Sequence, residues 1–156
     1  MRELIIAHSL KMDENINQQF LVVDASVILA AILPQEAHAK IVLRFIKRSI
    51  NENKKFIAPS ILLYEVFNAI RCAILSQRIT EKDAQTLLSA HKTIEPTYVD
   101  FSLLSESSFK IALSSNTSMY DAAYVALALD RRCSLYTLDK KLIQKLKVLP
   151  VHITHP

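Results

Sequence analysis

The stretch SMYDAAYVALALD, residues 118–130, predicts a helix that packs closely against its neighbours. Its alanines let another element approach the backbone, while its leucines and valine supply bulk for a core. Ser118 is a typical residue to begin a helix, and Asp121 would lie in the first turn, where the helix dipole favours negative charge. The same Ser-x-x-Asp spacing fits a capping box, in which the acid only satisfies backbone N–H groups. A structural role and a functional role for Asp121 are therefore both open at this point.

The composition is typical of one folded domain, with 156 residues of which 51% are hydrophobic and 22% are charged. The two cysteines have no zinc-site or redox spacing, and we expect them to be reduced and buried. No apolar run approaches the roughly 18 residues of a membrane span, and the N-terminus lacks the features of a secretory signal. We therefore expect a cytoplasmic protein that does not associate with membranes.

The chain contains no glycine, which excludes the glycine-dependent phosphate loops of P-loop NTPases and of classical dinucleotide enzymes. Turns that need a positive φ are expected at Asn51, Asn53 and Asn116, because asparagine tolerates that conformation best after glycine. The net charge of +4 is compatible with a polyanionic partner. Solvated helix faces are the alternative explanation for the two groups of basic residues, at positions 40–55 and 140–147.

Strand-like and helix-like segments alternate along the chain. Strands are predicted at residues 20–23, 56–58, 94–99, 134–137 and 151–154, and helices at residues 26–33, 35–50, 60–77, 80–91, 101–114, 118–131 and 139–147. This order predicts an α/β fold, a three-layer α/β/α sandwich with a mainly parallel sheet. Residues 1–19 are unpatterned and are interpreted as an N-terminal appendage to a domain that spans residues 20–156.

Acidic residues occupy positions where such a fold binds ligands. Asp24 ends the first strand, Asp139 follows a later strand and Asp121 begins a helix, so all three are expected at the carboxyl edge of the sheet. Glu65 interrupts an apolar helix face, with Asn68 one turn later on the same side. Converging carboxylates repel one another, and a divalent cation relieves that repulsion. Oxygen ligands without His or Cys favour Mg²⁺ or Mn²⁺ over zinc.

Each of these acids also has a simpler explanation. Asp24 would serve equally well as a turn residue, and Asp139 as the cap of the last long helix. Glu65 would cost little if it faced solvent at the edge of its helix. Their joint placement is stronger evidence for a site than any one of them.

Four segments, in this order and spacing, resemble the PIN-domain nucleases and especially the VapC-type toxins. They are LVVDAS (residues 21–26), APSILLYEVFNAI (58–70), SMYDAAYVALA (118–128) and LYTLDKKL (135–142), and the resemblance covers residues 20 to about 146. It implies a PIN-like fold and a Mg²⁺- or Mn²⁺-dependent ribonuclease that hydrolyses RNA phosphodiester bonds. At the family's catalytic and metal-binding acidic positions the chain has Asp24, Glu65, Asp121 and Asp139. At supporting positions it has Ser26, Asn68 and Thr137.

The resemblance also implies partners. A toxin of this kind is expected to act on an RNA substrate, to bind an antitoxin protein and to form a homodimer, for which the apolar helix surface of residues 62–88 is a candidate. Arg131 and Arg132 are among the basic residues expected to steer the RNA. The alternative function is a non-catalytic PIN-like module that binds RNA or a partner protein, which the complete set of four acids disfavours.

Overall fold

The computed structural model describes Asn17 and residues 19–34, 36–146, 151 and 153–154. The elements are β1 (Phe20–Val23), α1 (Ala25–Ile32), α2 (Ala39–Asn51), β2 (Lys55–Pro59), α3 (Ile61–Leu75), α4 (Glu81–Thr93), β3 (Thr97–Val99), a 3-10 helix (Phe101–Leu103), α5 (Ser105–Ser115), α6 (Met119–Arg131), β4 (Ser134–Tyr136), α7 (Lys140–Leu146) and β5 (Ile153–Thr154). The appendage predicted at residues 1–19 lies almost wholly outside the described residues, so that boundary stays a prediction.

The five described strands form one parallel sheet in the order β3-β2-β1-β4-β5. β1 is central, and its apolar residues 21–23 are buried, as expected for a strand covered on both faces. The chain first adds strands on one side of β1 and then crosses back to add β4 and β5 on the other side. The sheet therefore has a switch point between β1 and β4, which is where open α/β sheets bind ligands.

Helices cover both faces of the sheet, which confirms the predicted three-layer α/β/α sandwich. α6 packs across β1, β2 and β4, and α5 packs on α6, while α1 contacts α2, α3 and α4. The connections that lead to β2 and β3 and the long connection that returns to β4 run in opposite directions along the sheet. Because such crossovers are right-handed in almost all proteins, α1–α4 lie on one face and α5 and α6 on the other. Residues 122–128 of α6 are all buried, so the alanine-rich stretch is the inner helix of its layer.

Several predicted boundaries shift for identifiable reasons. The helix predicted at residues 101–114 is divided, because the Asp100 carboxylate accepts from the Ser102 N–H at 2.7 Å and caps a short 3-10 turn before α5 begins. The strand predicted at residues 94–99 starts only at Thr97, after Pro96. The helix predicted at residues 35–50 begins at Ala39, and residue 35 is outside the described residues.

Four described residues have the left-handed backbone conformation that glycine usually adopts: Asn53, Gln77, Asn116 and Arg132. The expectation was right for Asn53 and Asn116 and wrong for Asn51, which is the last residue of α2. Of the two cysteines, which are both free, Cys133 is buried as expected but Cys72 is exposed. Within the described residues, no helix combines the length and the apolar character that crossing a bilayer requires.

Candidate metal and catalytic site

The carboxyl ends of β1 and β4 create the centre of the candidate site. Val23 pairs with Tyr136, so the residues that follow them, Asp24 and Thr137, emerge side by side. The Asp24 N–H donates to the Tyr136 carbonyl at 3.3 Å, which continues the strand pairing by one more residue. Asp24 is therefore positioned by the sheet itself rather than by a loop.

The Asp24 carboxylate is buried among donors. It accepts hydrogen bonds from the Ser26 hydroxyl at 2.5 Å, from the Val27 N–H at 3.2 Å and from the Thr137 hydroxyl. Its 6% exposure explains why burial raises the pKa of the Asp24 carboxyl, and the bonds from its neighbours oppose part of that rise. Asp24 thus also caps α1, which gives it a local structural role, while its part in a site stays a prediction.

Ser26 and Thr137 connect Asp24 to the next turn of the chain. The Ser26 hydroxyl accepts from the Leu138 N–H at 3.0 Å, and the Thr137 hydroxyl accepts from the Asp139 N–H at 3.0 Å. The Asp139 carboxylate in turn accepts from the N–H groups at positions 141 and 142, at 2.8 and 3.1 Å, and caps α7. The backbone N–H of Asp139 is therefore linked to the Asp24 carboxylate through the Thr137 hydroxyl. The Asp139 side chain has the capping role that its position in the sequence predicted.

Glu65 reaches the same edge of the sheet from α3. It is in the second turn of that helix and is partly buried, and its carboxylate accepts a hydrogen bond from the Tyr124 hydroxyl of α6. Burial raises the pKa of Glu65, the Tyr124 bond lowers it, and the charges of Asp24 and Asp121 raise it again. Three carboxylates from three different elements therefore act on one another electrostatically.

Asp121 lies in the first turn of α6, partly buried. Its N–H donates to the Ser118 hydroxyl at 3.0 Å, which is one half of a capping box. A complete box is found at Thr80 and Asp83, where the acid also accepts from the cap's backbone N–H at 2.9 Å. At Ser118 the described contacts contain no such return bond, so they do not assign the Asp121 carboxylate to capping.

Three predicted participants are placed less favourably. Asn68 is on α3, one turn beyond Glu65, and it is exposed. Arg131 and Arg132 are at the opposite end of α6 from Asp121, about 15 Å along the helix. Arg131 pairs with Asp130 at 3.2 Å, and the Arg132 carbonyl accepts from the N–H of Asn17. These arginines are therefore remote from Asp121, and their expected part in steering the RNA stays a prediction.

Tyr124 is the site residue that sequence reasoning missed. The sequence contained a signal, since Tyr124 is three residues after Asp121 and so shares its helix face. Its partner Glu65 is 59 positions away in the chain, and no local pattern predicts that contact. Burial, and then the charge of Glu65, raise the pKa of Tyr124 far above its ordinary value, so its hydroxyl keeps the proton that it donates.

The donor chemistry fits a small hard cation, because the converging groups are carboxylates and their mutual charge raises the pKa of Glu65. Across the described residues, however, no group of three or more His, Cys, Asp or Glu side chains is arranged to hold a metal ion. The oxygens are instead engaged with Ser26, Thr137 and Tyr124. The charges of these carboxylates act on one another, but within the described residues their oxygens do not form a closed ligand set.

The fold and this edge define a class: a parallel α/β/α protein with acids gathered at the switch point of its sheet. The sequence matches the PIN domain family over residues 21–148. The chain belongs to that family. It is 35% identical to ribonuclease VapC1 of Mycobacterium tuberculosis over 122 residues, which are 78% of this chain and 86% of the relative. It is 29% identical to ribonuclease VapC3 of Pyrobaculum aerophilum over 133 residues, 83% of this chain and 96% of the relative.

Solved structures show the same fold. The crystal structure of PAE2754 from Pyrobaculum aerophilum superimposes with a TM-score of 0.60 at 20% identity and covers 88% of this chain and 85% of that one. VapBC2 from Rickettsia felis, solved bound to a DNA fragment from its promoter, gives a TM-score of 0.62 at 12% identity and covers 87% and 98%. At these identities the likeness supports the architecture described above.

Proposed function

We propose that this protein is a divalent-metal-dependent endoribonuclease and the toxin of a toxin–antitoxin pair. The observation that carries the proposal is the meeting of Asp24, Glu65 and Asp121, from three elements, in one electrostatic field at the switch point of a PIN-type sheet. Relatives named as ribonucleases, matched over most of their length, support RNA as the substrate. An RNA substrate agrees with the cytoplasmic location expected from the sequence.

Asp24, Glu65, Asp121 and Asp139 are the residues that would hold Mg²⁺ or Mn²⁺. When bound, the ion supplies charge stabilisation at the scissile phosphate and acidifies water for attack. Ser26 and Thr137 hold the Asp24 carboxylate in place, and Asn68 is a polar neighbour on the Glu65 helix. A bound cation would favour a closed ligand set, because it removes the repulsion among these carboxylates.

A cationic face on α2 suits an RNA backbone better than the two arginines of α6 do. It consists of Lys40, Arg44 and Lys47, all exposed. Each precedes a buried α2 residue (Val42, Ile46 or Ser49) by two positions and so points away from the core. Among the described residues none of the three takes part in an ion pair. Three unpaired cations on one outward face form a site for phosphates.

The cationic face begins near the acids, because the first residues of α2 lie on that side of the molecule. His38, just before α2, lines a groove together with Ser26, which binds the Asp24 carboxylate. At the other end, Lys55 begins β2 beside Phe20, at the amino edge of the sheet. The helix therefore runs from the carboxylates toward the far edge over about 20 Å. An RNA strand that passes the site can continue along it.

The groove between α1 and α3 suits an antitoxin segment. It has a volume of about 550 Å³, its apolar lining includes Leu29, Leu33 and Leu138, and the Glu36–Arg78 ion pair of 3.2 Å is at its wall. Because the groove reaches Ser26, a bound apolar segment could extend a basic side chain to the carboxylates. A small DNA-binding protein encoded immediately upstream is the expected antitoxin.

Exposed apolar side chains on α3 support a homodimer. Tyr64, Phe67 and Leu75 are each at least half exposed, whereas Leu62, part of the surface expected from the sequence, is buried. An exposed apolar stripe of this kind is typical of an interaction surface. Light scattering should give twice the chain mass for the wild type and the monomer mass for Phe67→Asp. A wild type that is already monomeric would remove this part of the proposal.

RNA cleavage by purified protein tests the function. With Mg²⁺ or Mn²⁺, wild type should cut RNA, and Asp24→Asn and Asp121→Asn should each lose about 100-fold or more, since a bound metal supplies several kcal/mol and about 1.4 kcal/mol is a factor of ten. Asp83→Asn, which changes an acid remote from the site, should cleave normally. Undiminished cleavage by both Asp24→Asn and Asp121→Asn would rule out the proposed metal-dependent ribonuclease function.

The non-catalytic module is favoured by one observation, the lack of a closed ligand set in the described part of the chain. It predicts RNA or partner binding with no uptake of Mn²⁺. Calorimetry distinguishes the two functions, because only the nuclease requires saturable metal binding.

A further inference from the structure

We infer that Tyr124 is a positioning residue for Glu65, and that its hydroxyl holds this carboxylate in the place from which it can bind the metal. The inference rests on the proposed function. The observation behind it is that the described contacts assign one hydrogen-bond donor to the Glu65 carboxylate, and this donor is the Tyr124 hydroxyl. A long side chain on a half-exposed helix face has few other restraints on its orientation.

The hydroxyl of Tyr124 is itself fixed from two sides. Tyr124 is 2% exposed on the inner helix α6, so its ring cannot swing away. The backbone N–H of Ala25, the residue after Asp24, is directed at the Tyr124 hydroxyl and lowers its pKa, against the larger effects of burial and of Glu65. A phenol has one hydrogen to donate, and since the Ala25 N–H approaches its oxygen, that hydrogen is available for Glu65.

This chain of contacts ties the acids together. The first turn of α1, which Asp24 caps, is linked through Ala25 and Tyr124 to Glu65 on α3. Tyr124 is also one turn after Asp121 on α6. The buried Tyr124 hydroxyl therefore links Glu65 on α3 to the segments that carry the other two carboxylates, Asp24 just after β1 and Asp121 on α6. Since the hydroxyl donates to Glu65, its effect on metal binding is expected to pass through that carboxylate.

Tyr124→Phe removes the hydroxyl and keeps the ring. Partners that orient a metal ligand typically contribute 10–100-fold to metal affinity, so Mn²⁺ should bind the variant about 10–100-fold more weakly in calorimetry. RNA cleavage should fall at low Mn²⁺ and recover when the metal is saturating, with the KM for RNA unchanged. Tyr98→Phe is the matched control, because it also removes a tyrosine hydroxyl bond, to His91 at 3.1 Å, far from the acids.

A double-mutant comparison tests whether Tyr124 acts through Glu65. In a Glu65→Gln background, Tyr124→Phe should cause no further loss of Mn²⁺ affinity. An equal loss in both backgrounds, or wild-type Mn²⁺ affinity in Tyr124→Phe, would overturn the inference while leaving the nuclease function intact. A wild-type protein that binds no Mn²⁺ would instead remove the proposed function on which the inference depends. Thermal unfolding of each variant checks that the fold is kept.

Discussion

The Asp24 carboxylate is held at the end of β1 by two hydroxyls and a backbone N–H. At residue scale the sequence predicted that Asp24 lies at the carboxyl edge of the sheet, because it follows a buried strand, whereas the pairing of β1 with β4 that brings Thr137 beside it is seen only in the structure. The sequence was insufficient for Tyr124. Its side chain is buried like the rest of the inner helix, and only the three-dimensional fold brings it to Glu65.

The raised pKa of Asp24 predicts a pH-dependent stability. A carboxyl whose folded pKa is above its ordinary value of 3.8 ionises more easily in the unfolded chain, so metal-free protein loses stability as pH rises from about 4 through the folded pKa. Asp24→Asn removes this loss. In EDTA at pH 7 the variant should be more stable than wild type by about 0.5–2 kcal/mol in urea unfolding. The difference should shrink near pH 4, and a variant that is less stable at pH 7 would contradict the assignment.

Helices and strands were predicted where apolar periodicity was strong. The inner helix α6 and the central strand β1 were recovered almost to the residue. Misplaced boundaries occurred where a local polar contact decided the structure, as at the Asp100 cap that divides residues 101–114. The left-handed turns at Gln77 and Arg132 were not predicted, because neither glutamine nor arginine is a residue type that favours a positive φ.

His91, at the junction between α4 and β3, predicts a second effect of pH on stability, opposite in sign to that of Asp24. His91 is 2% exposed, its Nε2 is 3.1 Å from the Tyr98 hydroxyl, and its Nδ1 has no partner within the described residues. Burial lowers the pKa of His91 below its ordinary value of 6.5, while Glu95 opposes the shift. The stability that this neutral histidine contributes is therefore present above pH 6.5 and lost as pH falls through 6.5 toward the folded pKa.

Replacing His91 with Gln should flatten this loss, because Gln can hydrogen-bond to Tyr98 and does not titrate. Between pH 7 and pH 5.5 the free energy of unfolding of wild type should fall relative to the variant by at most about 1.4 kcal/mol per pH unit. Urea midpoints at the two pH values measure it. Parallel pH dependence in the two proteins would show that His91 protonates as easily in the fold as in the unfolded chain.

At the scale of the whole molecule, a cluster of acids at the switch point of the sheet is accompanied by a cationic face on α2. The sequence predicted both clusters, but only the fold shows that Arg131 and Arg132 are remote from Asp121 and that α2 starts beside the acids. The strand order, and with it the switch point, is seen only in the structure. No local pattern in the chain states which strands pair.

The α2 cationic face predicts how RNA binding responds to salt. In an Asp24→Asn background, which prevents cleavage, replacing Lys40, Arg44 and Lys47 with Gln should reduce the slope of log K against log salt by about 2, since each single-strand phosphate contact contributes about 0.7. The matched control changes Lys82, Lys92 and Lys110 to Gln, which removes the same charge from α4 and α5. Equal reductions in both triple variants would mean that net charge, and not this face, governs binding.

The central claim is that carboxylates from separate elements hold one kind of small cation, and Mn²⁺ calorimetry on the metal-free protein tests it most directly. Wild type is predicted to bind Mn²⁺ saturably, Asp121→Asn to lose most of that binding, and Asp83→Asn to bind as wild type does. Wild-type protein that takes up no Mn²⁺, or an Asp121→Asn variant that binds it equally well, would contradict the account.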